Sequence, residues 1–475
     1  MKILSRMYKV LLLGLPVALY FSYYPVISLG ANETMNLELS LALVWLVLLD
    51  VCGGVLVVKR HLLRGLKKGD VKRMVLLLSF PFFVTVSAFW SHNLLRGVLT
   101  AGIMWLIIIA GVVAVKLAPL EVDTKVRRKW LRVWMIGTLI VCTWCIGQCV
   151  LDLVGCSREQ TLLCAGCTYK MFGFPHPNGF AIEPQFMGNL LLAPVIAAAW
   201  MLLKKPLNAR FLWGCLIATS VTLFLTFSRG AIYALMVAML FMTAFWLMKE
   251  RKKDRTDRWG LVKVWGAIIL SFVIALNVQG LMAAVSPTND TYQSGVAKVI
   301  NHLSLGIVDI REKVAKNEDV EAVEKPVENY EEKPVENSVQ EEAIFDGYVQ
   351  ESTDTRIRLT DAALSVWSGD LKAVLVGVGL GGAGEALFEN GLSPSPKEIV
   401  QNEYASMLLE TGLIGVGLGV VALVVLIIWA IRRWPSKVLL MLTLLVAYAV
   451  SLCFFSGLPN ALQVYLMPVL ILVMI

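Results

Sequence analysis

The chain alternates between apolar stretches of about twenty residues and short polar connections, the pattern of helices long enough to cross roughly 30 Å of hydrocarbon. Twelve such runs stand out, at about 10–29, 39–58, 74–90, 97–118, 133–154, 184–203, 211–227, 230–248, 264–285, 411–431, 438–456 and 460–475. The third, seventh and last are short, which leaves eleven as the alternative count. The pattern predicts an all-α polytopic membrane protein, because a helix satisfies its own backbone hydrogen bonds inside lipid. One interruption differs from the rest. Between the ninth and tenth runs the chain stays polar from about residue 286 to 410, dividing the sequence into 1–285, 286–410 and 411–475. Loops of this size hold the reactive polar groups that hydrocarbon does not tolerate.

Composition sharpens this picture. With 57% hydrophobic and 16% charged residues, and a mean hydropathy of +0.70, the sequence excludes a soluble domain. Met1-Lys2-Ile3-Leu4-Ser5-Arg6 resembles the start of a signal peptide. No small-residue cleavage site follows, and Pro16 and Tyr20 interrupt the run, so it reads as an uncleaved first span. With the N-terminus placed in the cytoplasm, 29 of the 43 Lys and Arg fall in cytoplasmic segments and 4 in short external loops, the remainder lying in the long loop. That asymmetry sets the orientation and makes the long loop extracytoplasmic. The net charge of +8 then serves mainly to hold the protein against anionic lipid, and nucleic acid is not an expected partner.

Several polar residues sit where an ordinary membrane protein has little use for them. Trp90-Ser91-His92-Asn93 precedes Arg96 on the external side. An interfacial tryptophan and a capping Ser or Asn account for the first four and leave Arg96 unexplained. Cys142, Cys145 and Cys149 share one face of the fifth span and read as small packing residues. Cys156, Cys164 and Cys167 follow in an external loop, where one disulfide with a leftover thiol is the simplest reading. A zinc site there would need His176, the only nearby histidine, as fourth ligand.

The same loop ends in a Pro- and Gly-rich stretch, Phe172 to Phe186, which predicts a fixed non-helical segment at the membrane face. It presents His176 and Glu183 as candidate acid or base, with helix capping by Asn178 and Glu183 as the plain alternative. Arg229 lies in the tight external turn Phe227-Ser228-Arg229-Gly230-Ala231. Its donor fork suits a phosphate, against the alternative of snorkelling to headgroups.

Within the long loop, residues 286–312 are mildly amphipathic and suggest a helix on the surface. Residues 313–343 are acidic, repeat Glu-Lys-Pro-Val-Glu-Asn at 324–329 and 332–337, have too little apolar content to bury a core, and are expected to form a disordered insertion. A helix is expected from Thr355 to about Trp367, then a flexible glycine turn over 377–382. That turn lacks the Gly-Lys-Ser/Thr ending of a phosphate loop and the βαβ setting of a dinucleotide site.

Four separated segments together resemble the O-antigen ligase/polymerase family. They are Trp90-Ser91 with Arg96; Ser228-Arg229-Gly230-Ala231; Arg358 ahead of Ala362-Ala363-Leu364 with Gly377 and Gly379; and Asn402-Glu403-Tyr404 leading into Glu410-Thr411-Gly412-Leu413-Ile414-Gly415. The resemblance implies a GT-C-type helical glycosyltransferase of the cytoplasmic membrane. Such an enzyme moves an oligosaccharide from undecaprenyl diphosphate to a glycan, lipid or protein acceptor, with neither a nucleotide sugar nor an obligatory metal. It implies that Arg229 and Arg358 meet the diphosphate; Arg96, Asn402, Tyr404 and Glu410 of these segments, and Glu183 from the loop before the sixth span, are the candidate substrate-binding residues.

One position departs from the family pattern. The family has a histidine base immediately before the Asn of the last motif, and this chain has Gln401. An amide does not accept a proton at neutral pH. Glu403 or His176 is then the replacement base, or Gln401 only orients the acceptor while the proton leaves late, or activity is lost. Two other classes stay open: a transporter or flippase, since twelve spans also suit carriers, and an inactive scaffold in a glycan assembly complex. The ends of the long loop are expected to close over Arg229 and His176.

Overall fold

A computed structural model describes residues 1–31, 36–62, 68–154, 174–181, 183–204, 208–250, 258–286, 291–304, 354–457 and 461–475. Among the described residues, nine helices are long and apolar enough to cross a membrane. Three shorter apolar helices, Ala209–Leu225, Val438–Ser451 and Leu462–Met474, fall on the seventh, eleventh and twelfth hydrophobic runs. The polytopic helical class expected from the pattern is the one the chain adopts.

The helices that matter below are α1 (Lys2–Ala18), α2 (Leu41–Lys59), α3 (Lys68–Ser87), α4 (Leu94–Glu121), α5 (Thr124–Leu153), α6 (Pro184–Leu203), α7 (Ala209–Leu225), α8 (Arg229–Glu250), α9 (Arg258–Val285) and α10 (Tyr292–Leu303). A loop helix spans 354–368, and the return helix runs Glu403–Arg433. The first helix starts earlier than the expected 10–29. Its basic end is tolerated because Glu121, buried at the end of α4, accepts from Ser5 Oγ at 2.7 Å, pairs with Lys9 Nζ at 2.9 Å and also meets the Arg60 guanidinium. The helix then closes in a 3₁₀ turn at Leu19–Phe21, and Pro25–Ala31 pairs antiparallel with Asn36–Ser40. Pro25 cannot donate to a continuing helix, and β-branched Val26 and Ile27 favour a strand.

Packing separates the helices into an inner and an outer set. In α6, 94% of the membrane window is buried, the mark of a helix apolar on all sides. In α3 and the return helix only 22% and 11% are buried, so this contacting pair lies at the periphery with broad faces toward lipid. The return helix is two helices meeting at Gly412, which has φ +61°. A Cβ there would lie 2.5 Å from the Leu375 backbone, so only glycine fits. That kink falls beside the boundary expected near residue 410.

The stretch read as a surface helix is more deeply placed than expected. Helix α10 docks along α9, where Gly295 stands so close that a Cβ would be 2.4 Å from that of Ala283. Asn301 and His302 are buried by this packing. Cys142, Cys145 and Cys149 are buried free thiols within α5. Cys156, Cys164, Cys167 and the acidic repeat lie outside the described residues.

Candidate functional site

Arg229 is held by a turn with almost no slack. Helix α7 ends at Leu225, Phe227 adopts a left-handed backbone at φ +58°, and α8 begins at Arg229 itself. Ser228 Oγ accepts from the Ala231 amide at 3.3 Å, capping the new helix. A Cβ on Gly188 would press on Ser228 and Ala231 at 2.8 and 2.9 Å, and one on Gly230 would press on Phe454 at 2.9 Å. The turn is therefore clamped between α6 and the segment after Val438–Ser451. Arg229 is only 6% exposed, and Tyr233, one helical turn on, donates its hydroxyl to the Leu303 carbonyl at 2.5 Å.

Two histidines brace this turn. His176 and His302 both pack against the Phe227 ring, with centroids 4.9 and 5.6 Å away. Burial pushes the His176 imidazole down to about 3. Burial also holds His302 well below its ordinary value, helped by the charges of Arg229 and Arg356 and by His176. Both rings are thus neutral near neutral pH and poor proton acceptors. The His176 loop is itself fixed: Gln148 of α5 donates to Gly179 O at 3.0 Å and accepts from Gly179 N at 2.9 Å. Asn178 faces that same glutamine at 3.3 Å and caps no helix.

At the rim, one chain of hydrogen bonds joins three segments distant in sequence. Arg356 Nε donates to Gln401 Oε1 at 2.8 Å, and Arg356 Nη2 donates to Gln185 Oε1 at 2.8 Å. Gln185 Nε2 in turn donates to the Phe454 carbonyl at 2.9 Å. Glu183 stands two residues before Gln185, exposed, at the N-cap position of α6 without making a side-chain cap bond. Partial desolvation raises its carboxyl above the ordinary glutamate value, while Arg356 pulls in the opposite direction. Arg229, Arg356, His176 and His302 therefore share one electrostatic environment, with Glu183 open beside it.

The two arginines of the loop helix point in different directions. Arg356, not Arg358, faces the cluster, and Arg358 is exposed on the other side of the loop helix. Two residues on a helix are turned by roughly 200°, so the two arginines cannot share a direction. The buried face of this helix is formed by Leu359, Ala362 and Ala363, and Arg356 lies on that stripe three residues before Leu359. The i, i+3, i+4 rule would have found it. Gln185 and His302 were also not singled out, since neither residue type in its local context signals more than polarity.

The remaining motif residues do other work. Asn402 caps the return helix, its Oδ1 accepting from the Tyr404 and Ala405 amides at 3.1 and 3.3 Å. Glu403 bolts that helix down: its carboxylate accepts from Ser456 Oγ at 2.9 Å, Gly457 N at 2.7 Å and Tyr465 Oη at 3.3 Å. Those donors make Glu403 an anchor for the start of the return helix. Tyr404 donates its hydroxyl to the Ala449 carbonyl at 2.7 Å. Glu410 meets the backbone amides of Gly381 and Ala383 and the charge of Arg96.

Glu410 thereby belongs to a second assembly built around the glycine turn. The turn is tightly seated where a flexible one was expected. Val378 and Gly379 donate to the carbonyls of Leu409 and Glu410 at 2.9 and 3.0 Å, and Leu380 N donates to Ser87 Oγ at 3.2 Å. Gly379 has φ +96°, and a Cβ on it would lie 2.5 Å from the Ser91 Cα. We expect Gly379→Ala to separate the Trp90–Arg96 segment from the return helix and to destabilise the fold by about 1–3 kcal/mol. The check is the unfolding midpoint of the detergent-purified protein against a Gly417→Ala control, a site with open space around it. Equal midpoints would show that the contact is dispensable.

Fold and site together define a polytopic helical membrane protein with a buried arginine and an arginine-lined polar rim at one end of its bundle. Residues 214–418 match the family model described as O-Antigen ligase, the family that the four motifs resemble. That family works in O-antigen ligase- or polymerase-type glycan assembly. No curated protein matches the chain. Arg229, Arg356, Arg358, Gln401, Asn402, Glu403, Tyr404 and Glu410 lie inside the matched span, and Arg96, His176 and Glu183 lie before it.

Proposed function

We propose that the protein is a glycosyltransferase of the extracytoplasmic face of the cytoplasmic membrane, taking an oligosaccharide from undecaprenyl diphosphate and joining it to a glycan, lipid or protein hydroxyl. The observation that carries this reading is that Arg229 and Arg356 both act electrostatically on His302 at one end of the bundle, with Arg356 held by Gln185 and Gln401. Placement at the extracytoplasmic face rests on the charge asymmetry of the loops.

In the proposed reaction the acceptor hydroxyl attacks the anomeric carbon of the donor, and the bond from that carbon to the diphosphate oxygen breaks. The departing polyprenyl diphosphate keeps the electron pair and so gains negative charge. Arg229, fixed in its turn, and Arg356, fixed by two glutamines, meet that charge without reorganising. The acceptor proton passes to Glu183, the exposed carboxylate of the rim. Gln401 orients Arg356 and needs no basicity for that task, which accounts for an amide at this position. His176 and His302 hold the Arg229 turn in shape.

Deletion of the gene in its host tests the reaction and separates its two forms. The reading expects lipid-linked glycan to accumulate. Single repeat units on the carrier would identify a polymerase, and long polymer stranded on the carrier a ligase. Unchanged lipid-linked pools would refute both.

A further inference from the structure

A groove of about 290 Å³ opens between the peripheral pair of helices, at the end of the bundle away from the candidate site. Its walls come from the start of α3, with Arg73 and Leu76, and from the end of the return helix, with Val425, Ile428, Trp429, Arg432 and Arg433. That volume is near the lower bound of about 300 Å³ for ligand pockets. The groove is amphipathic in a definite order. Along the return helix the two arginines are outermost, Trp429 comes one turn deeper, and Val425 and Ile428 line the way toward the membrane interior.

Three guanidinium groups at one end and aliphatic walls at the other match a molecule that is anionic at its head and apolar in its tail. Among the described residues, no carboxylate pairs with Arg432 or Arg433. Trp429 packs edge-on against Trp434 at 4.9 Å, the amphipathic ring pair expected at headgroup depth. Both flanking helices turn most of their surface outward, so a lipid reaches the groove sideways from the bilayer.

We propose that this groove is a binding site for an anionic phospholipid, whose phosphate lies among Arg73, Arg432 and Arg433 and whose acyl chain runs along Leu76, Val425 and Ile428. Basic pockets between transmembrane helices bind anionic headgroups in this way. The two helices it joins carry at their opposite ends the Ser87–Trp90 segment and the Asn402–Gly412 segment that the glycine turn ties together. A lipid in the groove therefore clips the lower ends of the pair whose upper ends are closed by protein contacts. This inference does not depend on the proposed transferase reaction.

The test uses the full-length protein in mild detergent, read by native mass spectrometry with an equimolar mixture of phosphatidylglycerol and phosphatidylcholine. The wild-type protein is expected to retain phosphatidylglycerol preferentially. Removing Arg432 and Arg433 together (to Gln) should lower retention by about fivefold for each arginine lost, while Arg210→Gln, a basic residue outside the groove, should not. Trp429→Ala keeps every charge and is expected to weaken retention as well. Equal retention of both lipids by the wild type, or full retention by the double variant, would overturn the proposal. Displacement of the lipid by millimolar inorganic phosphate would overturn it too, since it would mark a site for a soluble anion.

Discussion

Arg229→Ala is expected to abolish glycan transfer while the protein remains inserted and folded. The leaving diphosphate must be met by a cation already in place, and Arg229 is fixed by a left-handed residue, a capping serine and two close-packed glycines. Loss of one preorganised donor of this kind costs about 10²–10³ in rate. Arg229→Lys separates charge from geometry, because it keeps the charge and loses the planar fork; an intermediate loss is expected. Arg356→Ala should match Arg229→Ala and also release Gln401 and Gln185 from each other. Arg358→Ala should leave transfer near wild type, since its side chain faces away. Surface glycan on cells carrying each variant, with membrane levels of the protein measured in parallel, reads out all four. Normal glycan with Arg229→Ala would remove the electrostatic basis of the mechanism.

The second large effect concerns the base. Glu183→Gln should lower the transfer rate by about 10²–10⁴, the usual contribution of a positioned proton acceptor. The pH dependence gives this prediction a sign. A base works in its deprotonated form, and the folded environment raises the Glu183 carboxyl above the ordinary glutamate value. Wild-type activity should therefore fall on acidification at a higher pH than an unperturbed glutamate would give, and the residual activity of Glu183→Gln should be flat through that range. Glu403→Gln offers the contrast. It removes acceptors from Ser456, Gly457 and Tyr465, so its main effect should be a lower unfolding midpoint. An unshifted acid limb in Glu183→Gln would assign the proton to another group.

The hydrophobic pattern made most of this architecture readable, because the length of a span is dictated by the thickness of hydrocarbon. It placed the first helix too late, since basic Lys9 counts as a stop in sequence yet is neutralised in space by Glu121, 112 residues away. Arg229 stood out in the sequence because an arginine on the sparsely charged side needs a reason. Arg356 was not singled out in the sequence because its place on the stripe formed by Leu359, Ala362 and Ala363 was not read. The glycine turn was read as flexible because its partners, Ser87, Ser91 and Glu410, are separated from it by tens to hundreds of residues. His302 was invisible for the same reason: burial against the Phe227 turn arises only when α10 docks on α9. The substitution of Gln401 for histidine looked like a missing base, and its hydrogen bond to Arg356 gives the amide a different task.

The most direct measurement is reconstitution of the purified protein in liposomes with a defined oligosaccharide on undecaprenyl diphosphate and a hydroxyl acceptor. Free undecaprenyl diphosphate and elongated or ligated acceptor should appear in equal amounts, and both should be lost in Arg229→Ala and Arg356→Ala. A donor that crosses the bilayer intact, or is left unchanged on its carrier by the wild-type protein, would contradict the proposed transfer.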